Sequence, residues 1–394
     1  MRPERLERIG LDGRTVTLTV AGGRIAAIAP AEGAPEWLLL PPLVDPHVHL
    51  DKTFTCRRAG RPGHGLFAAI EATHADMAHW TEADLRARAS RALAEAEAAG
   101  VAAMRSHVDW IAPEVPRAWP VLGDLAAEWA GRVAVQRAAL CPADLLGDPD
   151  HGPAIARAVA QSGDGVLGAF VYRNDDLPAK LARIFRLAAQ HDLRLDFHTD
   201  EGLEPEAQGF DAIVRLTAAH GMAGRVLCGH ACALSVRPEA EARALLAQAA
   251  EAGVALSVQP TTNLWLQDAA PGRTPRRRGL APLIEARAAG VEVMFGADNV
   301  ADPFYPVGSY DPLEVLRLAV TAAQLDPAEW CDAVCAQPAR ALGHPPAVFS
   351  EGAPADFVLV AGGDWTEALR APPRRRVFRR GRELAAPPTI EVSA

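Results

Sequence analysis

Eight short apolar runs, each ending in polar residues and each followed by a helix-forming stretch, recur between residues 41 and 298. They are PPLVDPHVHL (41–50), VAAMRSHVD (101–109), VAVQRAAL (133–140), GVLGAFV (165–171), LRLDFHT (193–199), RVLCGH (225–230), VALSVQ (254–259) and VEVMFGAD (291–298). Runs of this kind read as strands covered on both faces, as in a parallel sheet. The stretches between them carry helix signals. TEADLRARASRALAEAEAAG opens on Thr81, a side chain suited to capping a helix, and stops at Gly100, which tolerates a left-handed helix end. DDLPAKLARIFRLAAQHD and RPEAEARALLAQAAEAGV follow the same logic. Eight such units predict an α/β fold, a (β/α)8 TIM barrel, with an open doubly wound sheet as the alternative.

The two ends of the chain read differently. TVTLTV, the turn AGGR and IAAIAP predict a hairpin near the start, and ADFVLVAGGD with RRVFRRGREL predicts another near the end. We expect residues 1–40 and 345–394 to form one small β-sandwich domain, with the catalytic barrel at 41–344. No repeat of solenoid length is present. Composition then narrows the function classes. The 40 lysines and arginines are outnumbered by 49 acidic residues, for a net charge of -9, which disfavours a nucleic acid polymer as partner. The six cysteines form no CxxC pair and read as reduced thiols. MRPERLERIG has no apolar stretch behind its charges, and WLLLPPLV is too short to span a bilayer. A soluble, cytoplasmic protein with no membrane partner is expected, and a homo-oligomer is compatible with the sequence.

Twelve histidines are present, and five of them, His47, His49, His107, His198 and His230, fall at or near the C-terminal ends of predicted strands. In a barrel these ends converge on one mouth, where active sites are built. His47 and His49 are two apart on a strand, so both face one side and can share a metal. With His198 and Asp298 they make three imidazoles and one carboxylate, a set that leaves room for water. Glu201, three residues beyond His198, can face the mouth without being a ligand and shuttle a proton. His230 can hydrogen-bond an oxyanion or orient the attacking water, with a further ligand role as the competing reading. His107 points at the mouth, where it can contact substrate or brace a ligand. The fourth strand ends without a lysine, and Lys180 lies inside the next helix, so a lysine bridging two metals is not available. One divalent metal per chain is expected, either zinc or iron, with manganese also accepted.

PPLVDPHVHLDKTFT, RSHVD, DFHTDEG, GHACAL and FGADNVADPFYPVG together resemble the amidohydrolase superfamily, in particular its cytosine deaminase-like branch. The resemblance runs from about residue 40 to the C-terminus. It implies metal ligands at His47, His49, His198 and Asp298, Glu201 as acid/base, and His230 near the attacking water. It also implies that Phe304 packs on the substrate ring. Two positions depart from the pattern. Asn299 stands where cytosine deaminases carry a second acid, and CPADLL, with Pro142 near the expected place, lacks their substrate-reading glutamine.

The resemblance implies a small heterocyclic substrate and hydrolytic deamination, with metal-bound hydroxide attacking the amino-bearing ring carbon. Asn299, which resembles a branch acting on triazines, motivates an alternative: release of an alkylamine from a triazine-like ring, or opening of a cyclic amide. A non-catalytic metal-binding barrel is the reading from another class, and Glu201 argues against it, because binding alone needs no proton shuttle.

Overall fold

Both ends of the chain enter the same sheet. The computed structural model describes residues 3–60 and 63–385. The first strands are β1 (Glu4–Leu11), β2 (Arg14–Ala21), β3 (Arg24–Pro30) and β4 (Trp37–Leu40). After Pro41 and Pro42 the chain enters the barrel: β5 (Leu43–Val48), β6 (Val101–Asp109), β7 (Ala134–Pro142), β8 (Val166–Val171), β9 (Leu195–Thr199), β10 (Val226–His230), β11 (Val254–Val258) and β12 (Val293–Phe295). It then returns through β13 (Phe357–Ala361), β14 (Arg375–Arg379) and β15 (Arg382–Glu383).

The terminal strands pair in the order β15-β14-β13-β4-β1-β2-β3, so the late strands extend the sheet that the early ones begin. The expected sandwich takes the form of one continuous sheet folded over its own core. Ile25 N–H donates to Ala353 O at 2.9 Å and Ala355 N–H to Gly23 O at 3.0 Å, which brings the β3 edge back to the segment before β13. Leu6, Ile9, Leu18, Ile25, Phe357 and Phe378 fill the space enclosed. Residues 1–2 and 386–394, assigned above to this part of the chain, lie outside the described residues.

The eight barrel strands follow chain order, β5 to β12, with parallel pairing throughout. A parallel bridge between Val48 and Asp298 closes the ring. The closed barrel, not the open sheet, is therefore the architecture. Among the described residues no helix is long and apolar enough to cross a membrane.

The helix Glu82–Ala99 shows how local sequence signals become packing. Thr81 caps it, its side chain accepting from Asp84 N–H, and Gly100 ends it at φ 94°. The exposed carbonyls at that end meet cations from the other sheet. Arg375 Nη1 donates to Ala99 O at 2.6 Å and Arg379 Nη2 to Gly100 O at 2.7 Å, complementing the negative end of the helix. Arg375 also holds Asp311, the cap of the helix Pro312–Ala323, at 2.9 Å. A Cβ at Gly100 would lie 2.5 Å from Val358 Cγ2, so conformation and space both demand glycine where sheet and barrel meet.

Gly100→Ala should therefore lower the free energy of unfolding by about 2 kcal/mol or more, the left-handed penalty plus the clash. Gly163→Ala is the control, because φ there is 76° but nothing lies within 4 Å. Urea midpoints for both variants check this, and equal shifts would show that the contact with Val358 contributes nothing.

Candidate active site

The site begins at the seam of the barrel. Asp298 N–H donates to His47 O at 2.8 Å, and His49 N–H donates to Asp298 O at 3.2 Å. Beneath them the buried Asp45 carboxylate accepts from His47 N–H at 3.1 Å and from Ala297 N–H at 3.2 Å, and burial pushes its pKa up to about 7. Gly296 makes the approach possible, since a Cβ there would lie 2.7 Å from His47 Cβ. Asp298 at φ 62° and His230 at φ 66° both occupy the left-handed region that non-glycine residues rarely adopt. Such strain concentrates at functional sites.

This backbone brings four donors together. His47 Nε2 lies 3.1 Å from His198 Nε2, which lies 3.3 Å from His49 Nε2. Asp298 Oδ1 is 3.1 Å from His49 Nε2 and 3.5 Å from His47 Nε2. These separations are short enough for the four groups to share one metal ion. Neither carboxylate oxygen of Asp298 has a well-aligned hydrogen-bond donor, although both are buried. Burial holds the His49 and His198 pKa values well below the usual range. For Asp298 burial acts the other way, but the neighbouring histidines outweigh it and keep the carboxylate ionised. Buried imidazoles converging on one carboxylate are the donor set of a divalent cation, so the residues present fit a metal.

Glu201 and His230 stand beside this set. Glu201 is buried, and desolvation first, then the charge of Asp298, raises its pKa well above the ordinary value. His230 Nδ1 lies 3.6 Å from Glu201 Oε1. Asn263 Nδ2 donates to His230 Nδ1 at 3.0 Å, which leaves the proton on Nε2, a buried atom without a partner. Burial lowers the His230 pKa to about 3, so the ring is neutral. Gln259 accepts from His230 N–H at 2.9 Å and fixes the turn.

A cavity of about 270 Å³ opens over these groups, and its wall includes His49, His198, Glu201, His230, Asp298, Asn299 and Phe304. Phe304 is presented by a turn in which Asp302 Oδ1 accepts from Phe304 N–H at 2.9 Å. Asn299 is in the wall, with its amide already donating to Asp302 Oδ2 at 2.8 Å. His107 sits apart from these wall residues. It is fully buried, does not line the cavity, and lies 3.2 Å from Asp196 Oδ1, with its ring 4.0 Å from that of His47. Its donor atoms fall within reach of His47, His49 and His198.

Several residues here were not singled out from sequence. Lys52 and Asp109 line the cavity 2.7 Å apart, and burial of the ammonium is outweighed by Asp109 and Asp51, which hold its pKa above the usual range. Gln259 directly follows β11, and the strand-end rule applied to histidines would have found it. Asn263 and the helix Leu66–Asp76, which supplies Leu66, Phe67 and Ile70 to the wall, carry no such local signal.

The model of the Amidohydrolase family matches residues 64–385, more than half of the chain. This chain belongs to the amidohydrolase family. As an amidohydrolase it is a hydrolase of carbon–nitrogen bonds, and the buried histidine–aspartate cluster marks it as a divalent-metal enzyme. It is 35% identical over 381 residues to the pterin deaminase of Rhizobium rhizogenes (strain K84 / ATCC BAA-868), covering 93% of this chain and 87% of that protein. Among solved structures, N-isopropylammelide isopropylaminohydrolase from Burkholderia multivorans ATCC 17616 is 30% identical with a TM-score of 0.78, over 97% of this chain and 98% of that one. The 5-methylcytosine deaminase of Klebsiella pneumoniae shares the fold, with 24% identity and a TM-score of 0.84 over 99% and 98% of the two chains.

If Asp298 completes the ligand set, Asp298→Ala should retain far less metal per chain than the wild type and lose turnover. Removal of the metal by a chelator should also destabilise the wild type, by about 4 kcal/mol if metal was present at a thousandfold its dissociation constant. Elemental analysis and unfolding curves check both. Full metal retention in Asp298→Ala would take that residue out of the site.

Proposed function

We propose that this amidohydrolase deaminates a small amino-bearing nitrogen heterocycle with water, and that a fused two-ring compound of the pterin kind is the substrate to test first. What carries the reading is the contrast between two buried carboxyl groups in one cavity, Asp298 pulled well below the ordinary carboxyl range by its histidine neighbours and Glu201 raised well above it by burial and the charge of Asp298. Carboxyl groups pushed apart in this way divide base and acid roles between them. The cavity volume, its apolar wall and the 35% identity to a pterin deaminase support the two-ring substrate.

His47, His49, His198 and Asp298 would hold one divalent cation per chain, zinc or iron with manganese accepted. When bound, it supplies a Lewis acid that brings water toward ionisation near neutral pH. The protein groups do the rest. A carboxylate oxygen of Asp298 takes the proton from the attacking water. Glu201 delivers a proton to the ring nitrogen beside the amino-bearing carbon. His230 Nε2–H donates to the attacking oxygen and orients it as it bonds to that carbon. Return of the water's first proton from Asp298 to the amino group lets ammonia leave, and the hydroxyl proton passes to Glu201 as the carbonyl forms. Phe304 packs on the ring, and Asn299 faces the exocyclic group.

We assign residues 41–344 to the catalytic barrel and 1–40 with 345–394 to the small domain, and we place the protein in the cytoplasm. Release of an alkylamine is the second reading, favoured by Asn299 and by the 30% identity to an isopropylaminohydrolase.

Glu201→Gln separates proton shuttle from ligand. It should keep its metal while turnover falls by the ~10²–10⁴-fold typical of a lost general acid/base. Metal content and ammonia release, measured with pterin, cytosine and an N-alkylaminotriazine on one preparation, check this. Loss of metal and activity together would make Glu201 a ligand, and ammonia replaced by alkylamine would favour the second reading.

A further inference from the structure

The cavity wall holds one charged pair among apolar neighbours. Leu66, Ile70, Ile111, Leu140, Pro142 and Phe170 face the same space as Lys52 and Asp109. The Lys52 side chain is 3% exposed and that of Asp109 10%, with Nζ 2.7 Å from Oδ1. Asp51 Oδ2 accepts from Asp109 N–H at 2.8 Å and fixes the acid from behind. The ammonium also lies 4.9 Å from the centroid of the Phe304 ring.

A buried ion pair repays its desolvation only when further hydrogen bonds meet the remaining donors and acceptors. Lys52 has three N–H donors and Asp109 takes one, which leaves two ammonium protons and one carboxylate oxygen for a ligand. Their place in the barrel matters as much as their chemistry. Asp109 is paired with Leu140 across the β6–β7 ladder. It therefore stands one strand from the loop after β7, where the substrate-reading glutamine was expected and where Leu140 and Pro142 now line the cavity. A glutamine side chain offers one donating group, its NH2, and one accepting group, its carbonyl oxygen. The Lys52–Asp109 pair offers the same two functions from different residues.

We propose that Lys52 and Asp109 together read a ring amide of the substrate, Lys52 donating to the ring carbonyl oxygen and Asp109 accepting from the adjacent ring N–H. The inference rests on the deamination reading and narrows it to amino-heterocycles that carry a –C(=O)–NH– edge. An analogue without the carbonyl leaves a buried ammonium facing apolar carbon, and sites of this kind reject such analogues strongly.

The test compares pterin with 2-aminopteridine, which lacks the ring carbonyl. The wild type should prefer pterin by about 10³-fold or more in kcat/KM. Lys52→Met should bring that ratio to within about tenfold of unity while metal content stays unchanged, a change that a purely structural ion pair would not produce. The double variant Lys52→Met/Asp109→Leu leaves no unpaired carboxylate and carries the same comparison if the single variant fails to fold. A ratio unaltered in either variant overturns the proposal. Binding of lumazine, the deaminated form of pterin, is measured by fluorescence on the same proteins and needs no turnover. If the wild type releases no ammonia from any amino-heterocycle, the deamination reading fails. Weakening of lumazine binding by tenfold or more in Lys52→Met then still supports the ring-amide contact, and unchanged binding overturns it.

Discussion

Two hydrogen bonds at the seam between β5 and the segment after β12 carry the rest of this structure. They join the backbones of His47, His49 and Asp298, so the contact that closes the barrel is also the one that aligns three of the four candidate ligands. His198 reaches the same point from β9, across the barrel mouth. Asp45 supports the seam from below by accepting from both sides of it, and Gly296 gives it room. A barrel that failed to close would scatter the donors, and donors held this close with no cation would repel one another. Fold and site are one energetic problem here.

The electrostatics follow from that convergence. Burial pushes the His49 and His198 pKa values down, and lone pairs held there stabilise whatever positive centre they share. Burial raises both carboxyl groups, but the neighbouring histidines pull Asp298 back down, whereas Glu201, beside the charge of Asp298, stays raised despite Lys52. The Asn263–His230–Glu201 arrangement adds a donor whose proton position is set by an amide on the helix that follows β11.

The barrel was legible because its signals are local and repeated: strand-length apolar runs, the Thr81 cap and the Gly100 stop can each be read within a few residues. The clustering of the candidate ligands was legible for the same reason, as histidines and an aspartate at strand ends share one mouth in any closed barrel. Depth along a strand was not legible. His107 and Asp109 point the same way from β6, but two residues place His107 roughly 6–7 Å deeper, below the cavity and against Asp196. Pairing across the chain was equally hidden: Lys52 meets Asp109 over a separation of 57 residues, and nothing near either announces it. The wall formed by the helix Leu66–Asp76 depends on where that helix docks, which its own sequence does not state.

The central claim is that three imidazoles and one carboxylate gather one cation at the seam. X-ray absorption at the edge of the bound metal tests it directly, because it counts the imidazoles around the ion and registers a sulfur if any is bound. The account predicts a shell of nitrogen and oxygen only, at about 2.0–2.2 Å, with the outer-shell scattering of three imidazoles. A sulfur neighbour at about 2.3 Å, or scattering from a single imidazole, would contradict it.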